Sequence, residues 1–414
     1  METATHLDIY LGRQPILDRE QQIVAYELLF RSGQQNAAHI TDDLAASAAV
    51  ISHAFNELGI QAALGQYTGY INADRRLLDS DLVELLPRNK VVLEILEHTE
   101  ITPSLIRRCK ELRDAGFTLA MDDVTELQPE HMPLLEVVKV VKVDILALDP
   151  AKLFQLTARL KLFGVKLLAE KVDSAEQHER CLELGFDLFQ GYYFAKPQVL
   201  SGKKLNHSEL TLMRLMALLL DDAETTELEA VLKQEPGLIM NLMRLTNSVA
   251  TGTRHKITSL GHAITVLGRR QLLRWLQLLL YTADGMKRGP SPLLQLAAVR
   301  GRLMERVAAR LQPGVVQFED QAFMTGIMSL MPALLGLPMQ EILGSLHVAP
   351  EVRGALTEHK GVLGLSLALV EKLETGDFTT CARVLRAMPG LTVDELNHFQ
   401  SEAMAWANGI GTAA

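Results

Sequence analysis

The sequence predicts an α/β barrel of the (β/α)8 type followed by an all-helical domain. Three observations carry this expectation. From Ile9 to about Pro197, short β-branched runs alternate with stretches of helical periodicity, the pattern of a parallel sheet or barrel. Each of these strand-like runs carries a polar residue near its C-terminal end. After Pro197 the strand signal almost vanishes, and Leu, Met and Ala recur at helical spacing to the end of the chain.

The strand runs are Ile23 to Phe30, Tyr67 to Asn72, Lys90 to Ile95, Thr118 to Val124, Val138 to Ile145, Lys166 to Val172 and Leu188 to Phe194. A leading segment, Ile9 to Leu17, is expected to pair with the Ile23 strand through the polar turn Asp18 to Gln22. Between the runs, Asp43 to Leu58, Ser104 to Ala115 and Ser174 to Leu184 place apolar residues at helical spacing. The connection VLSGKKLNHS marks a boundary near residue 203, giving domains over 1–203 and 204–414. Beyond it, Pro236-Gly237, Gly252, Gly289-Pro290, Pro313-Gly314, Gly336, Pro350 and Pro389-Gly390 break the chain into successive helices.

With 414 residues, the chain is long enough for two domains that each bury a core. A formal charge of -9 and a sequence pI near 5.8 argue against nucleic-acid binding, which needs a basic surface, but allow a small, locally bound anion. Cys109, Cys181 and Cys381 are far apart and form no CxxC pair, so neither a disulfide framework nor a zinc knuckle is expected. Met1 to Tyr10 lacks the apolar stretch of a secretory signal. The run Leu272 to Tyr281 is interrupted by Arg274 and Gln277 and reads as a packed helix, with no transmembrane segment. Together these features point to a cytoplasmic protein.

The polar residues at the strand ends are Glu27, Asn72, Glu94, Asp122 with Asp123, Lys142, Glu170 and Gln190. In a (β/α)8 barrel the C-terminal strand ends converge on one mouth, where such barrels place their sites. Alternation along a strand puts Glu27 on the face of Ala25 and Leu29, and Asp122 on the face of Ala120. An inward carboxylate costs several kcal/mol unless it is paired or bound to metal. Four carboxylates and an amide therefore ask for a cation, and all-oxygen ligands favour Mg²⁺ or Mn²⁺ over zinc. Taken singly, Asp122-Asp123 reads as a turn or helix cap and Lys142 as a salt-bridge partner; the joint pattern argues for a site.

These residues also carry a family resemblance. Gly12-Arg13-Gln14-Pro15-Ile16 followed by Tyr26-Glu27-Leu28-Leu29-Phe30-Arg31 resembles the QP and ExLxR signatures of EAL-domain cyclic-di-GMP phosphodiesterases. Asn72, Glu94-Ile95-Leu96-Glu97, Asp122-Asp123, Lys142 with Asp144, Glu170, Gln190-Gly191-Tyr192 and Ala195-Lys196-Pro197 follow in the family's order, over roughly residues 8 to 200. The resemblance implies that Glu27, Asn72, Glu94 and Asp122 bind one Mg²⁺ or Mn²⁺ and that Asp122 and Asp123 hold a second. It further implies that Lys142 orients the attacking water, that Glu170 assists the water or the metal pair, and that Gln14, Arg31 and Gln190 hold the dinucleotide. The chemistry would be two-metal phosphodiester cleavage.

The chain departs from the family where a glycine-containing DDFG loop becomes Asp122-Asp123-Val124-Thr125-Glu126-Leu127, losing residues free to adopt positive φ. It departs again where EGVE becomes Glu170-Lys171-Val172-Asp173. The barrel segment, about 190 residues, is short beside the roughly 250 typical of the fold, which leaves room for missing helices or outer strands.

In the second half, Glu235-Pro236, Leu242 to Leu245, Asn247-Ser248, Ile257, Ala263-Ile264 and Leu267-Gly268 resemble HDOD domains, helical relatives of HD phosphohydrolases. No histidine in the chain is followed by aspartate, and Ser329-Leu330 stands where the HD pair would be. The resemblance therefore implies a regulatory module that docks a protein partner, with Arg269, Arg270 and Arg274 read as a solvated helix face. Proteins of this build are connected with motility, type IV pili and biofilms, and the pattern leaves a homodimer open. Two function classes fit: a hydrolase opening cyclic-di-GMP to pGpG, and a dinucleotide receptor or protein scaffold.

Overall fold

The computed structural model of the chain describes residues 9–32, 64–195, 205–249, 259–282 and 291–410. Eight strands close into a barrel in sequence order: β1 (Ile9–Leu17), β2 (Ile23–Ser32), β3 (Thr68–Ala73), β4 (Val91–Ile95), β5 (Thr118–Met121), β6 (Val140–Asp144), β7 (Lys166–Glu170) and β8 (Leu188–Gln190). All neighbours are parallel except β1, which runs antiparallel to both β2 and β8. An antiparallel β1 needs no crossover helix, so a tight turn suffices: Asp18 Oδ1 accepts from the backbone N–H of Glu20 and of Gln22, at 3.0 and 2.8 Å. The barrel is thus short without lacking a strand. The chain economises on connections, with only a 3-10 turn and the helix Met132–Leu135 between β5 and β6.

Side-chain alternation separates two cores. Outward residues such as Ile71, Leu93, Leu119, Val141, Leu167 and Phe189 pack under the helices. Inward, each strand contributes one residue to an apolar plug of Ile16, Ala25, Tyr70, Val92, Ala120, Val140, Leu168 and Leu188. The expected helices form over Pro103–Asp114 and Ala175–Leu184, started by Thr102 and Ser174, whose side chains accept from the backbone N–H of Leu105 and Gln177. The helix expected over Asp43 to Leu58 lies outside the described residues. Several strands end before their apolar runs do, because Val124, Val172 and Tyr193 pack into the outer core from the loops beyond. Hydrophobicity reported burial there, not strand.

The second half is helical, as expected. Helices Pro292–Leu311 and Val316–Met328 approach so closely that a Cβ on Gly326 would lie 2.6 Å from Gly301 Cα, so only glycines permit this crossing. Among the described residues no helix is long and apolar enough to cross a membrane. Arg274 departs from the solvated-face expectation: mostly buried, it pairs with Glu305 (2.5 Å) and Asp320 (2.7 Å) and lies over the Phe323 ring. Arg270 also pairs with Asp320.

Contacts between α-carbons divide the chain into two units, Met1–Lys196 with Ala368–Ala414, and Pro197–Leu367. The sequence reading ran the second domain on to residue 414, whereas the contacts place its last stretch with the barrel. The reason lies in β1. The Leu11 N–H donates to the buried Asn397 Oδ1 at 3.0 Å, Tyr10 stacks on Phe378 with ring centroids 5.8 Å apart, and a Cβ on Gly12 would lie 2.9 Å from Phe378. Helices Phe378–Arg386 and Val393–Ile410 thus cover a strand that no other helix among the described residues is shown to cover. Asn397→Ala leaves the Leu11 N–H buried without a partner. It should destabilise the barrel unit by about 1–3 kcal/mol, read from the urea midpoint; an unchanged midpoint would show that β1 does not depend on this helix.

Candidate active site at the barrel mouth

The candidate residues stand one layer above the plug. Two positions along from Ala25, Tyr70, Val92, Ala120, Val140, Leu168 and Leu188 come Glu27, Asn72, Glu94, Asp122, Lys142, Glu170 and Gln190; on antiparallel β1, two positions back from Ile16 comes Gln14. Barrel closure therefore sets one inward residue per strand at a common height, and here every one of them is polar.

At the centre is Lys142, with 1% of its side chain exposed. Its Nζ lies 2.7 Å from Glu94 Oε1, 2.8 Å from Asp122 Oδ1, 2.9 Å from Glu170 Oε1 and 3.5 Å from Glu27 Oε2. Gln190 Nε2 donates to Glu27 Oε2 at 2.5 Å and to Gln14 Oε1 at 2.9 Å. Asn72 shares the layer through its register with Glu94, and its side chain is exposed. Asp123 turns away from Lys142 at a positive φ of 46° and lies 3.8 Å from Lys171, which also pairs with Asp144. The Arg31 side chain lies outside the described residues.

Of the positions where glycine is replaced, Lys171 keeps a positive φ (59°), whereas Val124 to Leu127 do not; Asp123 itself adopts one. Aspartate tolerates this region by local hydrogen bonding; lysine has no such help. The backbone around Lys171 is held by Val172, whose N–H donates to Gln190 O at 3.0 Å, and by Gly191, where a Cβ would strike Val172 O at 2.0 Å. Sequence reasoning missed the triad Asp123, Lys171 and Asp144. Its signal was parity: Asp144 stands two residues beyond Lys142 on the same inward face.

Four carboxylates against one ammonium leave the mouth short of positive charge. Burial pushes the Glu94 carboxyl well above its usual range, against the pull of Lys142. Burial likewise raises Glu170 to about 8, opposed by Lys142 and reinforced by Asp122 and Glu27. For Lys142 burial opposes the charge, but Glu94, Glu27, Glu170 and Asp122 outweigh it and hold the ammonium protonated well above its ordinary range. Both oxygens of Glu94, Asp122 Oδ1, Asp123 Oδ1 and Glu170 Oε2 are buried without a hydrogen bond, although two of them lie within ion-pair distance of Nζ. Buried oxygens left this way call for a further cation or proton. In this arrangement the acids gather around Nζ, and among the described residues no three His, Cys, Asp or Glu are spaced about a common ion position. The donor chemistry, all oxygen and mostly carboxylate, nevertheless fits Mg²⁺ or Mn²⁺.

The fold and this ring of strand-end residues define the class. Residues 5–197 match the EAL domain family and residues 208–336 the HDOD domain family, so the chain carries an EAL domain followed by an HDOD domain. It is 29% identical to the uncharacterized protein YuxH of Bacillus subtilis (strain 168), over 97% of this chain and 98% of that protein. It is 28% identical to the cyclic di-GMP phosphodiesterase CdgJ of Vibrio cholerae, over 97% of this chain and 93% of that one. Among solved structures, the Klebsiella pneumoniae BlrP1 manganese/cy-diGMP complex is similar at 22% identity and a TM-score of 0.39, covering 46% of this chain and 56% of that one.

A carboxyl with a raised native pKa binds its proton more tightly folded than unfolded, so its contribution to stability falls as pH rises from the unfolded value to the folded one. For Glu170 that window runs from 4.5 to about 8. Chelator-treated protein should therefore melt at a lower temperature at pH 8.5 than at pH 6, and added Mn²⁺ should narrow the difference. A melting temperature that rises across this window would contradict the surplus of negative charge.

Proposed function

We propose that the barrel is a metal-dependent phosphodiesterase that opens cyclic-di-GMP to linear pGpG. The observation that carries the reading is the convergence of Glu27, Glu94, Asp122 and Glu170, from four strand ends, on Lys142 Nζ, with oxygens of Glu94, Asp122 and Glu170 left without a hydrogen bond. The end-to-end likeness to the phosphodiesterase CdgJ supports the choice of substrate.

In this reading Glu27, Asn72, Glu94 and Asp122 hold a divalent ion, Mg²⁺ or Mn²⁺. When bound, that ion supplies positive charge to a phosphoryl oxygen and acidifies a water. Lys142 keeps the acids at close range and orients the attacking water through Nζ. Glu170, which burial raises to about 8 in the absence of a metal, can take up that water's proton once it is ionised, a state that a bound cation would favour. Gln190, which donates to both Gln14 and Glu27, and Gln14 present amide groups to the dinucleotide.

A second reading, a cyclic-di-GMP receptor without turnover, is favoured by one feature: Lys171 fills a position where the family pattern has glycine and binds acids at the rim. For the HDOD half we propose regulation and docking of a protein partner. Ser329 accepts from Arg300 and donates to Gly326 O, and offers no strong ligand for a catalytic ion. The chain that follows this half also packs on the β1–β2 ribbon just above the mouth: Phe378 meets Gly12, two residues from Gln14, and Gly376 lies against Leu29, two residues from Glu27.

Purified full-length protein incubated with cyclic-di-GMP and Mn²⁺ or Mg²⁺ should yield pGpG by chromatography; retained binding without product would select the receptor. Glu27→Ala should lower turnover by more than the roughly 10–100-fold that outer-shell changes cost. Its melting temperature without metal should hold or rise, since one of four crowded acids is removed. Undiminished hydrolysis would assign the activity elsewhere.

A further inference from the structure

We propose that the Lys171 ammonium replaces one divalent ion at the rim of the mouth, so that the barrel takes a single ion where its family pattern calls for two. The inference rests on the metal-dependent reading above and changes its stoichiometry.

The geometry is specific to this chain. Lys171 follows the last residue of β7 at a φ of 59°, a conformation that glycine adopts freely and lysine rarely does. A side chain persists there only if its surroundings over-determine it. Asp144 supplies one restraint: its Oδ1 accepts from the backbone N–H of Leu146 (2.8 Å) and Ala147 (3.3 Å), which turns Oδ2 toward Lys171. Asp123 supplies the other, with Oδ1 buried, lacking any hydrogen bond and 3.8 Å from Nζ. The Val172 and Gly191 contacts fix the backbone from which this side chain departs.

A second ion shared by Asp122 and Asp123 and bound through the buried Asp123 Oδ1 would sit about 2.0–2.6 Å from the oxygen that faces Lys171. There it would meet a positive charge that already balances Asp123 and Asp144. Ion pairs of this kind stand about 3.5–4 Å apart and rely on bridging acids to offset their repulsion; here an ammonium takes that share. Lys142 does not duplicate the role, because its contacts are with Glu27, Glu94, Asp122 and Glu170 and not with Asp123 or Asp144. The site thus combines one exchangeable cation position with one that is covalently tethered.

The test is Mn²⁺ stoichiometry in the full-length protein, measured by equilibrium dialysis and by low-temperature electron paramagnetic resonance, which separates isolated from exchange-coupled Mn²⁺. Wild type should bind one ion with an uncoupled spectrum. Lys171→Gly, which suits the backbone conformation, should bind two with a coupled spectrum, and so should Lys171→Asn, which tolerates the same φ. Lys171→Arg should remain at one. Two coupled ions in wild type would overturn the inference while leaving metal dependence intact, as would a single ion in both the Gly and Asn variants that is lost in Glu94→Gln. Wild type that binds no more Mn²⁺ than Glu94→Gln would overturn the metal reading together with it.

Discussion

One buried ammonium organises the mouth of the barrel. Lys142 stands on an apolar plug contributed by all eight strands, and three carboxylates from three further strands lie within 2.9 Å of its Nζ, a fourth at 3.5 Å. Without that charge the acids would repel one another in a medium too poorly hydrated to screen them. With it, they are compatible with a closed barrel but remain under-compensated. The same shortage that makes the mouth costly to build makes it receptive to hard cations.

The barrel closure explains why this arrangement was largely legible in the sequence. Each strand places one residue in the plug and the next inward residue at the mouth, so a polar residue near the end of each apolar run was enough to nominate Glu27, Asn72, Glu94, Asp122, Lys142, Glu170 and Gln190. What could not be read was the angular arrangement around the mouth. That Lys142 sits at the centre and not at the rim depends on side-chain reach, and the grouping of Asp123 with Lys171 and Asp144 depends on two positive-φ residues in separate loops. Strand ends were overestimated because Val124 and Val172 stay apolar after the sheet ends, serving the outer core.

The helical half was legible as helix but not in its packing. The approach at Gly301 and Gly326 and the burial of Arg274 between Glu305 and Asp320 are tertiary facts that periodicity does not carry. The placement of the last helices with the barrel belongs to the same class, since Asn397 satisfies a backbone N–H 386 residues away in the chain.

That last contact has a consequence for how the protein is made. β1 leaves the ribosome well before the two helices that complete its hydrogen bonding and cover its aromatic residue, since Leu11 and Asn397 stand 386 residues apart. Domains generally fold as units during synthesis, N-terminal first. Here the leading barrel must wait, with one strand partly uncovered, while the whole Pro197–Leu367 unit is translated. A chain interrupted before Phe378 would therefore carry a β1 whose Leu11 N–H and Tyr10 ring lack the partners that complete the strand.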